Sequence, residues 1–312
     1  MIGSAELPRR RAAGRDGFHG VSLVISIVSP ALLLLLVAVL IRQSLPAIQH
    51  FGPSFLWRTG WNPVRADFGA LPFVYGTLLT SAIALAIGLP VGVGVAIFLA
   101  EPGAAGVRSA IGLGVELLAA IPSVVYGIWA LYVMAPFVLE HVEAPLSAHL
   151  GFVPFFAGPA HATSLFSASL VLAVMILPTL AAVSRDVIRA VPNGLREASF
   201  ALGATWLETV WQVVLPTARA GIFGATVLAL GRALGETIAV TMVIGNRPGI
   251  QASWFAPAYT LASVIANEFA EATGRLYSAA LVELGLILIA VTLAVNVGAL
   301  LLVHSTTGRR QL

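Results

Sequence analysis

The 312-residue sequence predicts an all-α polytopic membrane protein with six transmembrane helices. The chain is 58% hydrophobic and only 10% charged, far below the roughly 25% charged share of soluble domains. Six long runs are nearly free of charge, and roughly 20 helical residues cross about 30 Å of hydrocarbon. Between the runs, arginines gather on alternate connections, as expected of a chain that weaves through a bilayer.

Each element follows in order. Residues 1–20 form a basic tail with Arg9, Arg10, Arg11 and Arg15. The apolar run 21–41 makes a first transmembrane helix over 21–43. It is too long for the core of a secretory signal and lacks a small-x-small cleavage site, so it is read as uncleaved. An external loop, 44–72, leads to a five-helix core over 73–304. Its spans are expected at 73–100, 116–139, 164–185, 219–245 and 277–304, before a tail at 305–312. Pro122 should kink the third span and free a carbonyl. Residues 260–272 are too short and too acidic at their end to cross, and suit a partly embedded external helix.

The connections holding Arg108 and the group Arg185, Arg189, Arg196 and Arg219, with both tails, carry most of the arginines. Arg42, Arg58, Arg65, Arg247 and Arg275 lie on the other side, partly offset by Asp67, Glu268 and Glu271. The bias places both termini in the cytoplasm. The net charge of +3 reflects this bias and gives no reason to expect nucleic acid as a partner.

Absences narrow the chemistry. All 17 basic residues counted as Lys or Arg are arginine, so no GxxxxGK[ST] phosphate loop exists. Without lysine there is no Schiff base, and without cysteine no disulfide, thiolate nucleophile or thiolate metal site. His141, His149 and His161 share the external loop 140–163. Their spacing fits no single helical face, and Pro145, Pro154 and Pro159 intervene, so they read as loop histidines and not ligands.

Residues 191–216 are too polar to cross and too apolar for a free loop. Asn193 is a candidate N-cap, with Glu197 in the first turns and an end near Gly203. Thr205 and Glu208 have capping-box spacing for a second helix that continues to Pro216. A simple interfacial hairpin anchored by Trp206 and Trp211 would look similar. Glu197, Ala198 and Ser199, three residues, Gly203, nine residues, then Val213, Val214, Leu215 and Pro216 resemble the EAA signature of ATP-binding-cassette importer permeases. Ser199 stands where alanine is commonest. The resemblance implies a type I (MetI-like) permease fold and a loop, 185–216, that docks on a separate ATPase. The docking residues it implies are Glu197, Ala198, Ser199, Gly203, Leu215 and Pro216.

Arg232 falls in the middle of the fifth apolar run, with Glu236 four residues on. A continuous helix would set both on one face. A buried arginine costs about 2.5 to 3.5 kcal/mol at the bilayer centre, so it should face a partner, the bundle interior or water. The pair can be a structural lock. It can equally serve an oxyanion, because guanidinium presents a planar fork and a carboxylate accepts from protonated phosphate while repelling sulfate. Gly231 and Gly235 permit close helix approach. Thr237 and Thr241 offer hydroxyls, although such threonines more often bond their own backbone.

The stretch LALGRALGETIAVTMVIGN (228–246) resembles Pst-type phosphate permeases, on the side of the C-type subunit. ELLAAIPSVVYGIWAL (116–131) and TLASVIANEFAEA (260–272) agree. This resemblance implies that Arg232, Glu236 and Thr237 serve translocation. It also implies a heterodimer with an A-type permease, two cytoplasmic ATPase subunits and a periplasmic phosphate-binding protein in the bacterial inner membrane. The chain itself would be no enzyme and hold no cofactor, ATP acting through the partner. Alternatives are a permease for sulfate, molybdate or an amino acid, or a secondary transporter using the charges as a proton relay. Internal repeats and broken helices would favour the last.

Overall fold

The computed structural model describes residues 12–101, 103 and 105–307, and side chains within 22–301. The expected tail residues 1–11 and 308–312, with Arg9, Arg10 and Arg11, lie outside the described residues. Helices run α1 (Ala12–Phe51), α2 (Leu71–Ala100), α3 (Ala105–Ala120), α4 (Ser123–Leu150) and α5 (Leu165–Arg189). They continue α6 (Asn193–Ala201), α7 (Trp206–Gly235), α8 (Ile238–Val243), α9 (Leu261–Glu268) and α10 (Arg275–Thr307). Six of these, α1, α2, α4, α5, α7 and α10, are long and apolar enough to cross a membrane.

The bundle is organised around α5. Leu165, Leu172, Ile176 and Leu180 are fully buried against α2, α4, α7 and α8. Helix α2 meets α5 through buried Ala84, Gly88, Gly92 and Ala96. These four recur every fourth residue, so they line one face and let bulky Ile176 and Leu180 approach its backbone. In lipid, where apolar transfer gives no drive between helices, such close packing is what holds spans together. Glu143 on α4 is fully buried, and the hydroxyls of Ser164 and Ser167 donate to its Oε1 at 2.6 and 3.2 Å. This polar clamp fixes α4 to the start of α5, whose N-cap is the same Ser164.

By contrast α1 stays peripheral. It packs along α10, while Leu32, Leu33, Leu34 and Leu35 remain exposed, as a lipid-facing helix requires. It is longer than the expected span 21–43, because Ala47 and Phe51 beyond Arg42 are buried in a cluster with Phe55, Phe68 and Phe73 and keep the chain helical. The expected loop 44–72 is therefore helical to Phe51. It then forms a small antiparallel hairpin, β1 (Trp61–Asn62) and β2 (Asp67–Phe68), unseen in the sequence. Trp61 Nε1 and Tyr277 Oη both donate to Glu268 Oε2, at 2.7 and 2.6 Å, tying hairpin, α9 and α10 together. Beside them Tyr259 is buried, which pushes its phenol up to about 12. The hydroxyl therefore stays protonated and accepts from Asn267 Nδ2 at 3.0 Å.

Further boundary expectations need correction. The third span does not run as one helix over 116–139. It breaks at Ile121 and Pro122, between α3 and α4, and α4 then extends to Leu150. Pro122 cannot donate an N–H, and the carbonyl of Leu118 it leaves free instead accepts from Tyr126 Oη at 2.8 Å. His141 and His149 consequently lie on α4, not in a loop, each with Nδ1 near a carbonyl four residues back. Pro145 does not break this helix, because a π-helical turn at Leu139–Glu143 precedes it. No group of three or more metal-binding side chains occurs among the described residues. The fifth span ends at Gly235, short of the expected 245. Pro216, expected to end a separate loop helix, lies inside α7, where a π-helical turn at Val210–Val214 absorbs the proline's clash with the preceding turn.

Candidate functional site

Gly235 closes the main run of α7, and Glu236 leaves it in an extended conformation with ψ 129°. Thr237 follows, and α8 starts anew at Ile238. A four-residue spacing no longer means a shared face across that break. Arg232 and Glu236 form no ion pair, and the pairs found among the described residues are Arg58–Asp67, Arg185–Asp186 and Arg196–Glu101. The structural lock is thus absent. Arg232 is exposed on α7 and Glu236 half-buried at the break. Thr237 Oγ1 donates to the Gly235 carbonyl at 3.1 Å, and Thr241 Oγ1 to that of Thr237 at 2.7 Å. Both threonines bond their own backbone, as expected.

The two broken helices meet. α8 packs on the start of α4, and a side chain at Gly127 would collide with Met242 and the backbone of Ala239. Tyr126, next to Gly127, bridges the Pro122 break and lies within reach of the Arg232 charge. Irregular backbone at membrane depth survives only inside protein or beside a wet cavity. A lone, exposed guanidinium beside two such breaks has the same requirement.

The second candidate region is the hairpin of α6 and the start of α7. Gly203 N–H bonds the Phe200 carbonyl at 2.9 Å and Ala204 N–H that of Ser199 at 3.2 Å. This is a Schellman ending, and Gly203 supplies its left-handed residue at φ +87°. Thr205 and Glu208 form the expected capping box. Asn193 is not the N-cap of α6; Pro192 is, and Asn193 opens the first turn. Ser199 Oγ lies 2.9 Å from Thr209 Oγ1, a bond between the two helices that alanine could not make. Glu197, Ala198 and Gly203 are exposed, alongside Leu202 at 90% and half-covered Phe200, Leu207 and Trp211. Leu215 instead packs inward, in a cluster with Ile188, Val191 and Val214, and Pro216, the next residue of α7, is exposed.

Sequence reasoning missed what holds this hairpin. Glu101, at the end of α2 and 4% exposed, accepts from Arg196 Nη2 at 3.0 Å and Trp206 Nε1 at 3.4 Å. Arg196 also donates to the carbonyls of Val191 and Ile188, and Arg189 to that of Leu99. These bonds tie the hairpin directly to α2 and α5. The only sequence signal was a carboxylate placed directly after a long apolar run. Glu101→Ala should cost about 3 kcal/mol by leaving Arg196 without its buried partner. Limited proteolysis of the purified protein should show faster cleavage between α6 and α7, and an unchanged cleavage rate would contradict the clamp.

Residues 88–307 match the family described as binding-protein-dependent transport system inner membrane component. The chain belongs to this family. It is 46% identical over 288 residues to the phosphate transport system permease protein PstC of Mesorhizobium japonicum, covering 91% of this chain and 88% of that one. It is 47% identical over 269 residues to PstC of Pasteurella multocida, covering 84% of each. Among solved structures, an inward-facing form of the MetNI methionine ABC transporter superposes with a TM-score of 0.56 at 21% identity. That likeness covers 75% of this chain and 94% of the other, and establishes a shared permease fold. The permease is therefore a multi-pass membrane protein whose matched region contains both candidate sites.

Proposed function

We propose that this permease is the C-type membrane subunit of an ATP-driven importer of inorganic phosphate. The observation that carries the reading is the exposed, unpaired Arg232 beside the broken helices, in a chain 46% identical to a phosphate transport system permease. Arg232 offers a planar fork to phosphate oxygens, and Glu236 accepts from a protonated phosphate. Thr237 follows Glu236 on the break. None of these groups reacts; they lower the barrier to passage.

Its partners in this reading are an A-type permease, two cytoplasmic ATPases and a periplasmic phosphate-binding protein. ATP hydrolysis belongs to the ATPases, and both termini of the permease face the cytoplasm with the α6–α7 hairpin. Closure of the ATPases pushes that hairpin, and Glu101 carries the push to α2 in a rigid-body switch. Broken helices suit an ion-gradient transporter too, but the docking hairpin supports an ATPase-driven cycle.

The test is uptake of radiolabelled phosphate by cells that carry the complete operon, with and without this gene. Expected is saturable phosphate uptake that needs the gene and survives a large excess of sulfate. Competition by sulfate or molybdate at similar concentration would move the reading to another oxyanion. Uptake that persists after ATP depletion and collapses with the proton gradient would replace it with secondary transport.

A further inference from the structure

The last turns of α1 and the first turn of α10 enclose a groove of about 540 Å³ lined by Arg42, Leu45, Gln49, Arg275 and Leu276. A second hollow of about 310 Å³ adjoins it, shares both arginines and adds Phe269 and Ser278. No carboxylate lines either one. Both arginines are exposed, and neither takes part in an ion pair among the described residues.

Position decides what such a groove meets. Arg42 directly follows the apolar run of α1, and Arg275 opens α10. The two helices pack along each other in opposite directions, so both guanidinium groups lie at headgroup depth on the same face of the membrane. Below them Val39 and Ile41 are exposed apolar side chains of α1. The groove thus has a cationic floor at headgroup level and an apolar flank beneath it.

We infer that this α1–α10 groove binds an anionic glycerophospholipid on the face opposite the chain termini. The phosphodiester takes the forks of Arg42 and Arg275. Gln49 and Ser278 are placed for the polar part of the headgroup, and an acyl chain follows the exposed stripe of α1. Free inorganic phosphate shares the anionic chemistry but has nothing to fill the apolar flank. The site lies on α1, away from the broken helices, and the inference stands independently of phosphate import.

Native mass spectrometry of the detergent-purified full-length protein, titrated with phosphatidylglycerol or phosphatidylcholine, tests it. Expected is a phosphatidylglycerol adduct on wild type, roughly tenfold less occupied in R42Q/R275Q and largely retained in R42K/R275K. Millimolar inorganic phosphate should leave the adduct in place. Equal occupancy for the two lipids, equal occupancy in wild type and the glutamine variant, or displacement by inorganic phosphate would each overturn the inference. So would an R42Q/R275Q variant that keeps its lipid adduct but loses docking of the binding protein, which would make the groove a protein surface. Should R42Q/R275Q fail to fold, R42Q alone and spin-labelled phosphatidylglycerol bound to wild type give the same readings.

Discussion

Arg232→Gln should lower phosphate uptake about a hundredfold while the protein remains in the membrane with its ATPase bound. The size follows from the chemistry lost. A bidentate, charge-assisted contact to an oxyanion contributes about 3 kcal/mol more than a neutral amide, or roughly two powers of ten. Arg232 has no ion-pair partner to abandon and is exposed, so the substitution leaves the protein intact. Arg232→Lys keeps the charge and loses the fork, and should fall between, at about tenfold. Glu236→Gln should be milder for total uptake, since glutamine still accepts a hydrogen bond, but it should let sulfate compete better. Transport at matched membrane levels, with labelled phosphate and sulfate, checks the series. Wild-type uptake by Arg232→Gln would remove the residue from the pathway and leave the two broken helices without their charged centre.

The six crossings were legible because each is a statement about length and charge, and lipid enforces both. What was not legible were the places where a crossing is interrupted. Pro122 read correctly as a perturbation, yet whether proline bends or ends a helix depends on what takes up the freed carbonyl, and that was Tyr126. At Pro145 and Pro216 the same residue type ended nothing, because a π-helical turn stands before each. No local pattern distinguishes these outcomes. The hairpin of β1 and β2 was also hidden, since two-residue strands carry no periodicity and owe their place to Trp61 packing on Phe68 and Phe73 and to Phe68 stacking on Tyr277.

The candidate sites divide in a similar way. At the hairpin the sequence named the Thr205–Glu208 capping box and the glycine turn, since both are local backbone chemistry, but it misplaced the N-cap of α6 at Asn193 and counted inward-packed Leu215 with the docking face. It could not show Glu101 beneath them, which lies 95 positions from Arg196 along the chain. In the fifth crossing it named Arg232 and Glu236 but paired them by assuming an unbroken helix. The sequence Leu-Gly-Glu-Thr at 234–237 contains no proline to announce the break. The break follows from tertiary contact, where α8 packs against α4 and α5 in preference to continuing the line of α7.

Gly203→Asp should release the ATPase from membranes that still contain the permease, and abolish uptake. Two effects add. The residue sits at φ +87°, where a side chain meets its own backbone, and such a change costs about 1 kcal/mol or more. The new carboxylate would also stand on an open surface, between exposed Leu202 and the capping box of Glu208. There it adds charge and bulk to the face proposed to dock on the ATPase. Three substitutions separate the causes. Gly203→Asn tolerates the left-handed backbone and adds no charge, so it should keep most binding. Gly203→Ala carries the strain alone and should weaken ATPase binding several-fold. Gly203→Asp combines both and should leave none detectable by co-purification in detergent. If Asp and Asn behave alike, the added charge plays no part, and if Ala alone matches Asp, the backbone and not the docking face governs the effect. If all three retain full ATPase binding and uptake, the hairpin is an interfacial anchor, and the force that drives this permease enters elsewhere.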